Sequence, residues 1–195
     1  MGKIVYLMGK SSSGKDTIYK RLLQENPFGL KKIIPYTTRP IRLGEENGVE
    51  YYFTDEAGFQ TELKKGKVIE HRAYNTYHGL WRYFTLDDGQ IAPEKQSHIC
   101  IGTLQAYESM RDYFGKETMV PILIELDDGE RLQRALDREK EQENPKYEEM
   151  CRRFLADSED FAEEKIRRAG ITRRFYNDNL ESCLEKILQY IAGEL

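Results

Sequence analysis

The residues most suited to chemistry lie near the start of the chain, in the segment LMGKSSSGKDTIYKRL from Leu7 to Leu22. This segment fits the pattern G-x-x-x-x-G-K, in which a loop of small residues turns successive backbone N–H groups inward around an anion. The lysine of such a loop neutralises the outer phosphates of a nucleotide. An ordinary glycine-rich turn is the alternative. We expect phosphate binding by Gly9, Lys10, Ser11, Ser12, Ser13, Gly14, Lys15, Asp16 and Thr17.

The loop departs from its usual pattern at the last position, where Asp16 replaces the serine or threonine that ligates Mg²⁺ directly. The ending G-K-x-T resembles that of adenylate-kinase-like enzymes, in which the metal is held largely through water and the following threonine contacts phosphate. Thr17 stands at that position here. Because an inward carboxylate would repel phosphate, we expect Asp16 to face solvent or the water shell of the metal. We expect no direct protein ligand to the metal, with Asp16 or Thr17 reaching it only through water.

A second candidate anion site follows in the segment YTTRPIRLGEENGVEYYF. Arg39 and Arg42 lie three residues apart in a threonine-rich turn, and guanidinium groups bind phosphate or carboxylate in a bidentate manner. Tyr51 and Tyr52 alternate across a predicted strand, so that one hydroxyl joins this clamp while the other ring packs. A solvated charge cluster, in which the arginines pair with the neighbouring glutamates, is the alternative.

The apolar patterns predict the elements that position these two sites. A buried strand is expected at residues 3–8, before the phosphate loop, and a helix after it, where Ile18, Leu22 and Leu23 share one face. Further strands are predicted at residues 49–54, 67–75, 82–85, 98–101, 119–126 and 171–177. Further helices are predicted at residues 55–65, 103–114, 129–143, 146–165 and the end of the chain.

Strands that alternate with helices favour a parallel sheet covered by helices on both faces. We therefore expect the fold class α/β, with a parallel-sheet core that carries the phosphate loop, an inserted β-rich lobe and a helical lid. The core is predicted to comprise residues 1–34 and 86–195, with the lid at about 129–150. The substrate-binding lobe is predicted at residues 35–85.

Composition and charge predict a soluble protein. Of the 195 residues, 39% are hydrophobic and 33% are charged, and the net charge of −4 gives no basic field for nucleic acid or an acidic membrane. The three cysteines form neither metal-ligand spacing nor a disulfide framework. The sequence contains no signal-peptide pattern and no apolar run of the roughly 20 residues that span a bilayer. We therefore expect a cytoplasmic protein that binds neither nucleic acid nor a membrane.

The clamp segment resembles the guanylate kinase family, which carries TTR-x-x-R-x-G-E followed by G-x-x-Y-x-F. The matching residues are Thr37, Thr38, Arg39, Arg42, Gly44, Glu45, Gly48, Tyr51 and Phe53. The resemblance implies a site for GMP in which the two arginines and Tyr51 bind the phosphate and Glu70 accepts hydrogen bonds from guanine. The implied substrate-binding residues are Thr38, Arg39, Arg42, Tyr51, Glu70, Tyr77, His78 and Thr103.

The resemblance extends over nearly the whole chain. Arg138 and Arg153 stand where the family has arginines that bridge the phosphates of two nucleotides, which implies catalytic roles for both of them and for Lys15. Asn177 and Asp178 match a segment beside the adenine of ATP. The resemblance thus implies a P-loop kinase core and a nucleoside monophosphate kinase that uses ATP and Mg²⁺, most readily converting GMP to GDP. Its partners would be small-molecule nucleotides, and the protein a monomer or homodimer.

The match breaks in the residues that read the base. Pro35 replaces a serine, His78 replaces the second tyrosine of a pair, and Leu80 replaces a small hydroxyl residue. Gly102 and Thr103 stand where the family has an aspartate beside guanine. A buried polar group without its partner costs about 1–3 kcal/mol, so base choice is expected to shift. A P-loop kinase of another phosphate ester, such as ribose bisphosphate, and a binding module without catalysis remain the alternatives.

Overall fold

The computed structural model describes residues 1–76 and 79–195, whose strands form two separate sheets. In chain order the elements are β1 (Ile4–Met8), α1 (Lys15–Glu25), β2 (Lys31–Lys32), β3 (Tyr36–Thr37), β4 (Tyr52–Phe53), α2 (Glu56–Lys64), β5 (Val68–Thr76), β6 (Gly79–Leu86), β7 (His98–Ile101), α3 (Leu104–Phe114), β8 (Met119–Glu125), α4 (Asp128–Lys140), α5 (Tyr147–Asp160), α6 (Glu163–Arg168), β9 (Arg174–Tyr176) and α7 (Leu180–Glu194).

The larger sheet has five strands in the order β2-β7-β1-β8-β9, and every neighbouring pair is parallel. The α/β fold class predicted from the sequence is therefore confirmed. The first strand, β1, pairs with β7 on one side and β8 on the other, which makes it the switch point of the sheet. Ligands of open α/β sheets bind beyond the carboxyl ends of the strands at such a point, and the predicted phosphate loop follows β1 there.

Helices cover both faces of this sheet. The central strand β1 has apolar side chains on both faces, and each face needs a cover that excludes water. Ile4, Tyr6 and Met8 face a core that is completed by α3 and α6. Val5 and Leu7 face a second core, which is built with α1 and α7. Each β1 side chain is fully buried, as expected for a parallel strand with helices above and below. In the part of the chain that the structure describes, no helix is both long and apolar enough to cross a bilayer.

The smaller sheet has four strands in the order β4-β3-β6-β5. One of its faces packs against α2, where Phe59, Phe84 and Leu86 form a small apolar core. The other face carries polar cross-strand pairs of β5 and β6, among them Glu70 opposite Thr85. One face of this sheet therefore packs into an apolar core, and the other presents hydrogen-bonding groups.

The strand predicted at residues 82–85 runs from Gly79 to Leu86, and two further predicted elements were also wrong in their extent. The single helix predicted at residues 146–165 is two helices, because the chain leaves α5 at Phe161 and buries that ring in the core before α6 begins. The strand predicted at residues 49–54 is confined to Tyr52–Phe53. Gly48, at φ +83°, begins a turn in which its N–H donates to the carbonyl of Tyr51 at 2.8 Å. Residues 48–50 therefore form a turn and are not part of the strand.

Candidate active site

The loop between β1 and α1 passes close to its neighbours at both of its glycines. A Cβ on Gly9 would lie 2.4 Å from the carbonyl oxygen of Ile124 in β8. Gly14, at φ +87°, is the N-cap of α1, and no side chain in the described part of the chain caps the N–H groups of the first helical turn. Uncapped N–H groups at a helix N-terminus carry partial positive charge and bind anions. The glycine spacing thus produces the loop geometry that a phosphate requires.

Side chains of the same loop also suit an anion. The hydroxyl oxygens of Ser12 and Ser13 are buried and have no hydrogen-bond partner among the described residues. Buried hydroxyls normally have a partner, so these two fit a ligand with acceptor oxygens such as a phosphate. The Lys15 ammonium lies 3.5 Å from the Asp16 carboxylate, whose side chain is 76% exposed. Asp16 therefore points to solvent and not into the loop.

Asn177 supports the loop from the end of β9. It is buried, and its amide nitrogen donates to the carbonyl of Ser13 at 2.8 Å. The same nitrogen would lie 2.1 Å from a Cβ on Gly14. In this arrangement Asn177 fixes the path of the loop, and its predicted contact with ATP stays a prediction.

A buried arginine joins the loop to the helices that follow β8. Arg131 of α4 is 1% exposed, and its Nε donates to the carbonyl of Ser11 at 3.0 Å. Its guanidinium also pairs with Asp128 and, at 3.1 Å, with Asp157 of α5. The Asp157 carboxylate in turn accepts the N–H of Ser11 at 2.7 Å. Helices α4 and α5 are thereby attached to the first half of the loop.

The two arginines predicted to be catalytic line the same cavity beside the loop. Arg138 and Arg153 line a cavity of about 100 Å³ whose wall also includes Ser11 and Ser12. Arg153 pairs with Glu149 at 2.9 Å and is largely exposed. Both side chains therefore lie near Ser11 and Ser12 of the loop.

A larger cavity of about 760 Å³ opens on the other side of the loop. It runs along the carboxyl ends of β8 and β9 toward α6. Lys10, Ser13, Glu125, Arg134, Tyr176 and Asp178 are among its lining residues. Its volume lies in the range of about 300–1,000 Å³ that is typical of small-molecule sites. A nucleoside attached to phosphates on the loop would fit there.

The two arginines of the predicted clamp have different environments. Arg39 is 3% exposed and forms two hydrogen bonds to Glu45, at 2.5 and 2.7 Å. These bonds lower the pKa of Glu45 to about 2. Arg42 is exposed, and its guanidinium has no ion-pair partner among the described residues. Arg39 thus pairs with a neighbouring glutamate but is buried, unlike the solvated charge cluster that was the alternative, while Arg42 is available to an anion.

The other residues of the predicted acceptor site lie around this clamp. The Tyr51 ring stacks under Arg39, with the guanidinium carbon 5.0 Å from the ring centre. Tyr52 packs against Tyr36 instead, as the alternation of the strand predicted. The Thr38 hydroxyl forms a hydrogen bond within the second sheet, where it accepts the N–H of Arg82 at 2.9 Å. Tyr77 and His78, also predicted in this site, lie outside the described residues.

Glu70 is buried and forms hydrogen bonds within the protein. Its carboxylate accepts hydrogen bonds from the Thr85 hydroxyl at 2.9 Å and from Arg72 at 3.2 and 3.4 Å. Arg72 also donates to the hydroxyl of Thr103 at 3.4 Å. Thr103 caps α3 by accepting the N–H of Ala106. The position predicted to read the base is therefore a polar cluster with a guanidinium in its middle.

Asp157 was missed in the sequence, whereas an ion pair between Glu70 and Arg72 was an alternative to base recognition that the sequence left open. Asp157 reaches Ser11 over a separation of 146 positions, and no local pattern signals such a contact. The sequence indicates this ion pair, because Arg72 shares a face of an extended strand with Glu70 two positions earlier. A buried glutamate two residues from an arginine favours an ion pair, and this pair changes what the site offers to a ligand.

The fold and these loops define the class of protein. A glycine-rich loop at the switch point of a parallel sheet, followed directly by a helix, is the architecture of the P-loop α/β proteins. The separate four-stranded sheet and its arginine pair distinguish this chain within that class.

Comparison with known proteins narrows the class further. Residues 1–85 match the family model described as guanylate kinase. Guanylate kinase of Porphyromonas gingivalis is 25% identical over 195 residues, which cover 98% of this chain and 97% of that protein. Guanylate kinase of Ruegeria pomeroyi is 38% identical over 79 residues, or 40% of this chain and 37% of that protein. The human guanylate kinase is 44% identical over 73 residues, or 36% of each chain. The matches to the last two proteins thus span well under half of their lengths.

The fold comparison covers the whole chain. A crystal structure of guanylate kinase from Anaplasma phagocytophilum has a TM-score of 0.67 and 20% sequence identity, covering 99% of this chain and 86% of that chain. The predicted resemblance to the guanylate kinase family is therefore confirmed, and its sequence part is concentrated in residues 1–85.

Proposed function

We propose that this chain transfers a phosphoryl group from ATP to a nucleoside monophosphate, with GMP as the preferred acceptor and Mg²⁺ as the metal. One observation carries the proposal: among the described residues, the chain holds a glycine-rich loop with uncapped N–H groups and unpartnered hydroxyls and, in the loop between β3 and β4 of the other sheet, an arginine without an ion-pair partner. Two anion sites of this kind are what donor and acceptor phosphates require. The names of the relatives support the same reaction.

The proposed division of labour follows the two sheets. Residues 1–34 and 86–195 would form the ATP-binding core, because they supply the strands of the parallel sheet. Residues 35–85 would form the acceptor lobe, supported by the second sheet, whose strands fall between Tyr36 and Leu86. The lid, at about 129–150, would include Arg138 and most of α4.

On the donor side, the phosphates of ATP would lie on the N–H groups that follow Gly14, with Lys15 against the outer phosphates. The hydroxyls of Ser12 and Ser13 fit the same oxygens. Mg²⁺, when bound with ATP, neutralises phosphate charge. Asp16, exposed at the start of α1, would hold it through water, as would Thr17.

On the acceptor side, Arg42 would bind the phosphate of the monophosphate while Glu45 keeps Arg39 in place beneath it. No general base is needed, because the acceptor phosphate is already an anion. Arg138 would approach the transferring group from the lid and Arg153 from the part of α5 that lies in the core, and closure of lid and lobe would exclude water. Exclusion of water limits hydrolysis of ATP.

An ADP-release assay with ATP and a panel of acceptors tests this function. The panel contains GMP, dGMP, IMP, AMP, UMP, CMP and ribose bisphosphate. We expect turnover with nucleoside monophosphates, and with GMP among the best acceptors. Turnover with ribose bisphosphate alone would identify a different kinase. No turnover with any acceptor, while ATP still binds in calorimetry, would identify a binding module.

A further inference from the structure

Arg72 lies at the position where the base of the acceptor is expected. Its side chain is 14% exposed, and Glu70, its partner, is 2% exposed. Nε and one terminal nitrogen of Arg72 donate to the two carboxylate oxygens of Glu70, and the other terminal nitrogen donates to Thr103. The Thr85 hydroxyl donates to the same carboxylate from the neighbouring strand. Protein groups thereby occupy three of about four acceptor positions of the Glu70 carboxylate before any ligand arrives.

The hydrogen-bond inventory of Arg72 leaves donors for a ligand. A guanidinium has five N–H groups in a fixed plane. Three of them are directed at Glu70 and Thr103. Among the described residues no further acceptor is bonded to Arg72, so two N–H groups on the terminal nitrogens remain. The site therefore offers a pair of donors in place of a carboxylate acceptor.

These donors belong to the same face of the lobe as the phosphate clamp. Arg72 is opposite Tyr83 in the sheet, and the Tyr83 ring lies 5.7 Å from Tyr51. Burial raises the pKa of Tyr51, while Arg39 and Arg72 both lower it, so both guanidinium groups lie within electrostatic reach of this phenol. A ligand held by its phosphate at the clamp would thus have its other end near Arg72.

We propose that Arg72 determines base specificity by donating two hydrogen bonds to O6 and N7 of a 6-oxopurine, and that Glu70 is its positioning residue. This inference rests on the proposed function. Arginine donating to O6 and N7 is the commonest specific contact to guanine, and hypoxanthine presents the same edge. Adenine keeps the N7 acceptor but presents an amino group at position 6, which would face one donor of Arg72 and leave it unpaired.

Base recognition by Arg72 and base recognition by a free glutamate predict different relative use of GMP and IMP. A carboxylate that reads N1–H and the 2-amino group of guanine would reject IMP, which lacks the amino group. With Glu70 held by Arg72 and Thr85, the 2-amino group has no dedicated acceptor in this cluster. GMP and IMP should therefore be similar acceptors, while AMP should be a poor one.

The test measures kcat/KM for GMP, IMP and AMP in the wild type, in Arg72→Gln and in Arg82→Gln. Arg82 is a matched control, because it is 16% exposed and pairs with Glu56 at 2.8 Å. Its guanidinium, however, lies over Phe59 on the opposite face of the same sheet. Thermal unfolding of both variants reports whether they fold.

In the wild type we expect kcat/KM values for GMP and IMP within about tenfold of each other and a value for AMP that is lower by about 10- to 100-fold. Arg72→Gln should lower kcat/KM for GMP and IMP by about 10- to 100-fold, mainly through KM, and should leave AMP nearly unchanged. Arg82→Gln should preserve the ratio of GMP to AMP.

Three results would overturn the role of Arg72. They are a preference for GMP over IMP of about 100-fold or more in the wild type, equal use of GMP and AMP, and an unchanged GMP to AMP ratio in Arg72→Gln. The first two need no variant, so the inference stays testable if Arg72→Gln does not fold. Absence of turnover with all three nucleotides would instead contradict the proposed function itself.

Discussion

At the scale of single residues, the two arginines of the proposed acceptor clamp, Arg39 and Arg42, differ in how they are restrained. Arg39 is fixed by two hydrogen bonds to Glu45 and by the Tyr51 ring, so it contributes charge in a set position. Arg42 has no such restraint, and its backbone N–H is what Glu45 holds, at 2.9 Å. One glutamate thus orders both arginines but neutralises only one of them.

Replacing Arg42 should weaken the acceptor specifically. We expect Arg42→Ala to raise KM for GMP by about 10- to 100-fold, because a hydrogen bond to a charged group contributes about 1.5–3 kcal/mol. The dissociation constant for ATP should not change. Arg168→Ala serves as the control, since Arg168 is an exposed arginine on α6 whose partner, Glu108, is remote from the clamp. An unchanged KM for GMP would mean that the clamp is assigned incorrectly.

Glu45 should make stability depend on pH in a defined window. Its pKa is about 2 in the folded protein against 4.5 ordinarily, so its stabilisation is present above about pH 4.5 and is lost as the pH falls toward 2. We expect Glu45→Gln to lower the free energy of unfolding by about 2 kcal/mol at pH 7.

Urea unfolding of the wild type and of Glu45→Gln at pH 7, 5, 4 and 3 measures this effect. Other carboxylates with lowered pKa values, such as Glu149, titrate equally in both proteins and cancel in the difference. The difference should be constant from pH 7 to 5 and should shrink below about pH 4.5. A difference that is independent of pH would show that the Arg39–Glu45 pair does not have the strength inferred here.

At the scale of elements, the phosphate loop is held in shape from three sides. The carbonyl of Ile124 lies against Gly9, the amide of Asn177 lies against Gly14, and Arg131 binds the carbonyl of Ser11. These contacts come from β8, the end of β9 and α4. The loop is therefore preorganised by its neighbours, so that ligand binding has less conformational entropy to remove.

The contact between Gly14 and Asn177 can be tested by adding one methyl group. Gly14→Ala places a Cβ 2.1 Å from the Asn177 amide at φ +87°, so we expect ATP affinity, measured by calorimetry, to fall at least about tenfold. Gly170→Ala has a similar φ of +74°, but its new Cβ would meet no atom of the described residues within 4 Å. It should cost about 1 kcal/mol of stability and leave ATP binding intact. Wild-type ATP affinity in Gly14→Ala would contradict this role of the loop.

The attachment of α4 and α5 to the loop depends on Arg131. Arg131→Met leaves Asp157 and Asp128 without their buried cation, and we expect a loss of about 3 kcal/mol in the free energy of unfolding. Arg152→Met, on the exposed side of α5, should cost less than about 0.5 kcal/mol because its pair with Glu149 is solvated. Equal costs for the two variants, measured by urea unfolding, would exclude a bracing role for Arg131.

At the scale of the whole molecule, local patterns predicted the elements better than the contacts between them. The apolar runs predicted β1 and α1 because each is set by its own residues and by burial on one or two faces. The break at Phe161 was not predictable, because it depends on packing against core residues that other elements supply. The Glu70–Arg72 pair was predictable only as one of two options, since the sequence does not reveal whether Glu70 is buried.

Product analysis tests the central claim most directly. Wild-type protein is incubated with ATP, Mg²⁺ and GMP, and ADP, GDP and inorganic phosphate are quantified by chromatography over time. Phosphoryl transfer between two facing anion sites predicts equal amounts of ADP and GDP with negligible phosphate. ADP accompanied by phosphate, or no GDP from protein that still binds ATP, would contradict it.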